Sequence, residues 1–412
     1  MIEQFFPDPA LRERFSVGPL ASHIDGFASL LLSQGYARST AKEKLRLVAD
    51  LSRWLHRRRL ALAELDEQRV SQFLTNRRRR RLADRRDAVT CRTLLGYLRA
   101  LDRIPSRTET IEDTPLSRME RDFGQFLASE RGLTRATLVN YLPIVRRFLT
   151  ERFGSGELRL DELCPRDVYR FVLRNTPRMS RTRAKLVVTA LRSFLRFLRQ
   201  RGDVTIDLAG AVPAVVNWRL SGLPKSLAPE EVERLLASCE QSTPLGRRDH
   251  AILLLLARLG LRAGEVITLT LDDLDWEAGA LVVRGKGHRH EQLPLPQDVG
   301  EALVSYLRHG RPPCDTRRFF VRLHAPQQGF SSSAAICDVV RRALARAGLE
   351  PALKGAHLLR HSLATRMLQS GASLGEIGEI LRHCRPETTQ IYAKVDVGAL
   401  RALAQPWPGG AP

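Results

Sequence analysis

The chain has 412 residues, 43% of them hydrophobic, enough for two or three domains with separate cores and too many for a peptide or a disordered tail. Its 66 Lys+Arg against 45 Asp+Glu leave a formal charge of +21, which favours a polyanionic partner, with nucleic acid ahead of an anionic membrane surface. The longest apolar run, Ile252 to Ala257, is far short of the roughly 20 residues that cross a bilayer, and MIEQFFPDPA at the N-terminus has no basic segment followed by an apolar one. A soluble, cytoplasmic protein with no membrane partner is therefore expected.

The charge is unevenly placed. Residues 1–225 hold 43 Lys+Arg and 25 Asp+Glu, a net +18, and the remainder holds 23 and 20, a net +3. The front half is the polyanion grip. Within it the chain repeats: Gly35-Tyr36-Ala37-Arg38-Ser39-Thr40 aligns with Gly132-Leu133-Thr134-Arg135-Ala136-Thr137 at an offset of 97. Leu65, Val70 and Phe73 align with Leu163, Val168 and Phe171 at 98, and Leu94, Tyr97 and Leu98 with Leu191, Phe194 and Leu195 at 97. An offset held over so long a stretch indicates duplication. Each copy reads as a helical bundle: Leu138, Tyr141, Leu142, Val145, Phe148 and Leu149 follow helical spacing, as do Leu186, Leu191, Phe194, Leu195 and Leu198. The opposite faces are basic. In the second copy they carry Arg178, Arg181, Arg183, Lys185, Arg192, Arg196 and Arg199, and in the first Arg77, Arg78, Arg79, Arg80, Arg81, Arg85, Arg86, Arg92 and Arg99. Such runs are ordinarily solvated faces, but recurrence at the same place in both copies points to phosphate contact. The candidate DNA-contacting residues are Arg78, Arg80, Arg85, Arg135, Arg181, Arg183 and Lys185.

These features divide the chain into a first helical, DNA-binding repeat at 1–105, a linker at 106–114, a second repeat at 115–205, a proline-containing linker at 206–226 and a back domain at 227–412. In the back domain a helix over Arg248–Leu259 ends at Gly260 and another starts at Ala263-Gly264-Glu265. Val266–Leu271, Leu281–Arg284 and Glu291–Leu295 read as short strands of a small antiparallel sheet, turned at Glu277-Ala278-Gly279 and at Gly285-Lys286-Gly287-His288. Helices return at Ser332–Ala347, His357–Ser370 and Leu374–Leu381. The fold class is mainly α, with helical bundles followed by an α+β domain. The six cysteines, Cys91, Cys164, Cys239, Cys314, Cys337 and Cys384, form no CxxC pair and read as reduced, packed thiols, with no zinc-ligand spacing.

Several polar groups can converge on an anion. His357 and Arg360 share one helix face, Arg262 stands between two helices with Glu265 placed to orient it, and Lys286 sits at a hairpin tip between glycines. Leu381-Arg382-His383 is followed nine residues later by Tyr392. His361 and His250 read as core or capping histidines, and Trp276 as a packing residue. In this order and at these separations, Arg262, Lys286, His357-x-x-Arg360 and the Arg-His-Ser-x-Ala-Thr that follows, Leu-x-His383 and Tyr392 resemble the tyrosine recombinase (phage integrase) family over about residues 227–400. The second repeat resembles that family's SAM-like core-binding domain, and the first resembles another copy of it. Leu358 stands where the family often has Asp, and Arg382 where Gly is common.

The resemblance implies site-specific recombination through a covalent 3′-phosphotyrosine, serving integration, excision or transposition of a mobile element. Arg262 and Arg360 would hold nonbridging phosphate oxygens, and Tyr392, with its phenolate favoured by neighbouring arginines, would attack phosphorus. Lys286 would protonate the leaving 5′-oxygen, His357 would assist proton movement at the tyrosine, and His383 would donate a hydrogen bond to the phosphate. No metal or cofactor is required. The partners implied are double-stranded DNA, a homo-tetramer on paired recombination sites, and other recombinase subunits or accessory DNA-bending proteins. Val397–Leu403 reads as a short amphipathic segment able to pack in cis or on a neighbouring subunit. Two other readings share these residues: a DNA-relaxing enzyme of the type IB topoisomerase kind, and a catalytically silent DNA-binding protein.

Overall fold

Helix caps and apolar stripes account for most of the elements in the computed structural model, which describes residues 1–79, 86–106, 114–154, 156–215, 223–285, 290–383 and 385–395. The chain forms two units, Met1–Ser106 together with Gly222–Pro412, and Arg107–Ser221.

The first unit begins with short helices α1 (Ile2–Phe5) and α2 (Pro9–Glu13), then α3 (Ile24–Ser33), α4 (Arg38–Arg57), α5 (Glu67–Arg79) and α6 (Asp87–Ala100). Their apolar faces enclose Leu20, Phe27, Leu31, Leu45, Leu51 and Leu98. The second unit holds α7 (Pro115–Ser129), α8 (Arg135–Phe153), α9 (Pro165–Asn175) and α10 (Arg181–Arg201). Side chains of Thr114 and Ser180 accept the Ser117 and Arg183 amides at the starts of α7 and α10, supplying partners for otherwise unpaired N–H groups. Phe123 meets Phe194 and Phe148 meets Phe171, each pair edge to face at 5.2 Å between ring centres. The two repeats share an element order: α4 and α8 start 97 residues apart, and a 3₁₀ turn, Leu62–Glu64 or Leu160–Glu162, precedes α5 and α9. Residues 208, 209 and 212, in the segment read as linker, supply Leu208, Ala209 and Val212 to the second core.

The rest of the first unit is the α+β part: α11 (Pro229–Ala237), α12 (Pro244–Arg258), α13 (Ala263–Thr268), β1 (Leu274–Asp275), β2 (Ala280–Arg284), β3 (His290–Pro294), α14 (Gln297–His309), α15 (Ala334–Arg346), α16 (Ala356–Gln369) and α17 (Leu374–Ile380). A 3₁₀ segment, Gln390–Val395, follows. The apolar run noted in the sequence is the central helix: Ala251 to Ala257 of α12 are all buried, as expected of a helix surrounded on every side. The sheet has order β1-β2-β3, antiparallel throughout, with Leu274 opposite Leu281 and Val282 opposite Gln292.

One strand differs from the sequence reading. Val266–Leu271 is not a strand: α13 continues to Thr268, and Leu271–Asp273 forms a 3₁₀ turn before β1. Burial of Val266 and Leu269 is met by a helix and the bend after it, because the Glu265 carboxylate accepts the Arg262 amide at 2.8 Å and fixes the helix start. The first bundle meets the α+β part where the Gln327 N–H donates to the Gln34 carbonyl at 2.9 Å. Gly35, at φ +76, lies against Gln327, and a Cβ there would come within 2.2 Å of its amide carbon.

Replacing Phe194 by Ala removes a fully buried ring from the second core and is expected to cost about 3–5 kcal/mol. Denaturant unfolding monitored by far-UV circular dichroism checks this, with an early transition for the variant as the expected result.

Candidate active site

The site assembles around the turn between α12 and α13. Gly260 has φ +57, and a Cβ on it would lie 2.7 Å from Leu381 Cδ2, so both the conformation and the approach of α17 call for glycine. Its carbonyl, freed by the turn, accepts from Arg360 Nη1, while Arg360 Nη2 donates to the Leu381 carbonyl. Arg360, on α16, thus ties the turn to the end of α17. Its side chain is almost wholly buried, and burial, with Arg262 and Arg382 nearby, pulls its pKa down to about 10.

Arg262 caps the start of α13. Its Nη1 donates to Glu265 Oε1 at 2.6 Å and its Nη2 to the Arg382 carbonyl at 2.8 Å. Arg382 supplies a third guanidinium, 5% exposed in its side chain, whose Nη2 donates to Glu265 Oε2 at 3.2 Å and to the Gly260 carbonyl at 3.3 Å. Two guanidiniums, of Arg262 and Arg382, therefore share one buried carboxylate, and all three donate to backbone carbonyls. The net positive charge of this group suits an anion. Arg382 adopts φ +54, in the left-handed region where glycine sits without penalty.

His383 Nδ1 lies 2.7 Å from Thr389 Oγ1. Burial and the surrounding arginines lower its pKa to about 4, leaving the imidazole neutral. If the hydroxyl donates to Nδ1, the proton of the ring is on Nε2, free for an external acceptor. A cleft of about 640 Å3 opens here, lined in part by Glu291, Glu379, Arg382, His383, Thr389 and Gln390. His357, on the same helix as Arg360, is also held neutral, chiefly by burial and then by Arg360 and Arg262.

Tyr392 is 1% exposed and packs among Ala364, Leu368, Ile377 and Leu381. Its hydroxyl lies 2.8 Å from His361 Nδ1, with the rings 5.7 Å apart and edge to face. Burial pushes the phenol up to about 12, against a smaller opposite pull from Arg360. The expected dominance of nearby arginines over the tyrosine is thus reversed in this arrangement, because desolvating a phenolate costs more than a single neighbouring guanidinium returns.

Of the residues singled out in the sequence, Arg262, Arg360 and His383 converge around the Gly260 turn and the end of α17, with Tyr392 tied to the helix that carries His357 and Arg360. Lys286 lies outside the described residues, as do Arg80, Arg85 and the Val397–Leu403 segment. Arg135, Arg181, Arg183 and Lys185 are exposed in the first turns of α8 and α10 and make no ion pair among the described residues. Arg78 is exposed in the last turn of α5. Other members of the basic runs are engaged internally: Arg77 pairs with Asp50 and Asp87, Arg99 with Glu67, and Arg199 with Asp207. Two residues near the site were given no role by sequence reasoning. His361 read as a core histidine, and no local pattern links it to a tyrosine 31 positions away. Arg382 was visible only as a departure from glycine.

The fold and site define a tyrosine recombinase. The pattern of the phage integrase family matches residues 225–398, and that of the phage integrase N-terminal SAM-like domain matches residues 121–202. The chain belongs to the phage integrase family. It is 46% identical, over 96% of both chains, to "Putative integrase/recombinase y4rA" of Sinorhizobium fredii (strain NBRC 101917 / NGR234). It is 33% identical to tyrosine recombinase XerD of Mycobacterium tuberculosis (strain ATCC 25618 / H37Rv), over 69% of this chain and 94% of that one. Among solved structures, XerH recombinase bound to palindromic difH substrate has the same fold over 69% of this chain and 83% of its own, with TM-score 0.53 and 21% identity. The Tn1549 transposon integrase (residues 82–397) in complex with circular intermediate DNA does so over 69% and 98%, with TM-score 0.52 and 18% identity.

Replacing Glu265 by Ala leaves Arg382 buried without its carboxylate and is expected to cost about 3 kcal/mol or more, the penalty of breaking a buried pair. A lowered thermal midpoint with unchanged far-UV dichroism before the transition is the expected result.

Proposed function

We propose that the protein cleaves and rejoins duplex DNA at specific sites through a 3′-phosphotyrosine on Tyr392, as a cytoplasmic homo-tetramer that integrates, excises or transposes a mobile element. The observation that carries this reading is the convergence of Arg262 and Arg360 on the Gly260 turn, with the Tyr392 hydroxyl tied to the helix that bears Arg360. The DNA-bound state of the XerH and Tn1549 proteins of the same fold supports duplex DNA as the partner.

A phosphodiester repels nucleophiles, so the site has to bind its nonbridging oxygens more tightly as the fifth ligand arrives at phosphorus. The planar forks of Arg262 and Arg360 do this. Glu265 keeps Arg262 in place, and carbonyl bonds from the Gly260 turn and Leu381 keep Arg360 in place. His383 donates its Nε2–H to the same phosphate, and His357 assists proton movement at the tyrosine. Tyr392 Oη attacks phosphorus, the bond to the 5′-oxygen breaks, and Lys286 gives that oxygen its proton. The phosphotyrosine keeps the bond energy, so a 5′-hydroxyl of another strand can displace the tyrosine without ATP.

Exposed cations on the helical repeats supply the grip. Arg135, Arg181, Arg183, Lys185 and Arg78 contact phosphates, and with them Arg80 and Arg85. Each repeat presents its cations at helix termini, where long side chains reach outward from a fixed backbone. Other recombinase subunits or DNA-bending proteins complete the assembly.

Two experiments test this reading. On a suicide duplex nicked beside the scissile phosphate, the native protein should form a covalent adduct that survives denaturation and persists in a metal chelator, and Tyr392→Phe should abolish it. Absence of any adduct would refute the reading, and relaxation of supercoils without strand joining would replace it with a topoisomerase. Substituting Arg181, Arg183 and Lys185 together by Ala should weaken binding on all sequences alike and lower the slope of log affinity against log salt by about 0.9 for each phosphate no longer neutralised. An unchanged slope would remove these residues from the interface.

A further inference from the structure

Tyr392 is buried, yet its hydroxyl is not without a partner, and that partner belongs to no role assigned above. His361 follows Arg360 directly on α16. It faces the 3₁₀ segment Gln390–Val395, and its Nδ1 lies 2.8 Å from Tyr392 Oη. Its ring stands edge to face with the tyrosine at 5.7 Å and 6.4 Å from the ring of His357. On the recombinase reading, Oη is a reacting atom that must lose a proton to attack phosphorus. Among the described residues, His361 is the side chain hydrogen-bonded to it.

We propose that His361 is the proton acceptor for Tyr392, a catalytic residue of the cleavage step in addition to those assigned above. This rests on the reading of Tyr392 as the nucleophile. As the bond from Oη to phosphorus forms, the Oη proton moves to His361 Nδ1. The bond from phosphorus to the 5′-oxygen breaks, and that oxygen takes its proton from the general acid. In the rejoining step the balance runs backwards: the incoming 5′-hydroxyl gives its proton to the deprotonated general acid as its oxygen bonds to phosphorus, the phosphotyrosine bond breaks, and His361 returns its proton to Oη.

The surroundings of His361 make this conditional on substrate. Burial first, and then His357 and Arg360, hold the imidazole in its neutral form, which is the form that can accept. The same neighbours oppose the imidazolium produced by the transfer, and the phenol itself is held well above its ordinary range by burial. Without DNA the proton therefore stays on the tyrosine. A phosphodiester bound by Arg360 and Arg262 brings a negative charge that offsets those cations, so His361 becomes a better acceptor when a target is present. A buried, hydrogen-bonded phenol is thereby kept from reacting until the anion that it attacks is in place. Opposition to a lasting imidazolium also favours return of the proton, as a reversible strand exchange requires.

The test is single-turnover cleavage of the suicide duplex by the full chain. The native protein and Tyr392→Phe set the upper and lower limits. His361→Asn, which retains an acceptor atom near the position of Nδ1 but cannot take up a proton, is expected to slow adduct formation about 100-fold, the usual contribution of a general base. His361→Ala is expected to slow it at least as much. Placing 3,5-difluorotyrosine at position 392 of His361→Asn makes the phenol more acidic, so that it needs less help from a base, and is expected to recover most of the rate, a rescue that only a folded site can give. A 5′-bridging phosphorothiolate, whose sulfur leaves without a proton, is expected to leave the His361→Asn defect in place.

Undiminished or faster cleavage by His361→Asn would overturn the inference, as would failure of difluorotyrosine to restore the rate or full restoration by the phosphorothiolate. No adduct from the native protein would overturn the recombinase reading itself, and the inference with it. A native adduct with an unimpaired His361→Asn would overturn the inference alone.

Discussion

The arrangement depends on one carboxylate. Glu265 accepts from Arg262 and Arg382 and also holds the Arg262 amide, so a single side chain sets the start of α13 and the positions of two guanidiniums. Cations so close together repel, and burying them removes the water that would screen the repulsion. Backbone carbonyls of Gly260, Leu381 and Arg382 complete the compensation. They can do so because the chain turns at Gly260 and again after α17, where the last carbonyls of a helix have no partner within it. The guanidinium cluster is therefore as much a property of two helix ends as of the arginines. Arg382 carries a left-handed backbone conformation and adds a positive charge beside Glu265.

Charge elsewhere follows a different rule. The front half carries most of the excess, but part of that total is internal, since Arg77, Arg99, Arg146, Arg152 and Arg201 each hold a carboxylate within their own bundle. Among the described residues, cations at the starts of α8 and α10 and at the end of α5 are exposed instead. Exposed cations in water interact weakly one by one, so such a set acts by number and by release of counterions. The buried arginines near Gly260 are few but desolvated, so each interacts far more strongly with a nearby charge than an exposed cation does.

Much of the fold was legible in residue spacing. The stripes of α8 and α10 are core faces, the Ile252–Ala257 run is a buried helix, and β2 and β3 lie where alternating residues and glycine turns placed them. Val266–Leu271 misled because a short apolar run fits a strand and a buried helical turn equally well. Only the Glu265 cap decided between them. Arg262, His357, Arg360, His383 and Tyr392 could be picked out as candidates because their order along the chain is a pattern in itself, and the fold brings Arg262, Arg360 and His383 together around the Gly260 turn. His361 was not, since its partner is 31 residues away on another element.

The sequence by itself determined the helical repeats, the class of the protein and the kinds of side chain available, because periodicity, duplication and motif order are properties of a line. Tertiary structure decided the rest. It determined which arginines are internally paired and which are exposed, that Arg382 shares Glu265 with Arg262, and that the tyrosine rests buried against His361. These depend on distances of a few ångströms and on how far water is excluded, and neither quantity exists until the chain has folded back on itself.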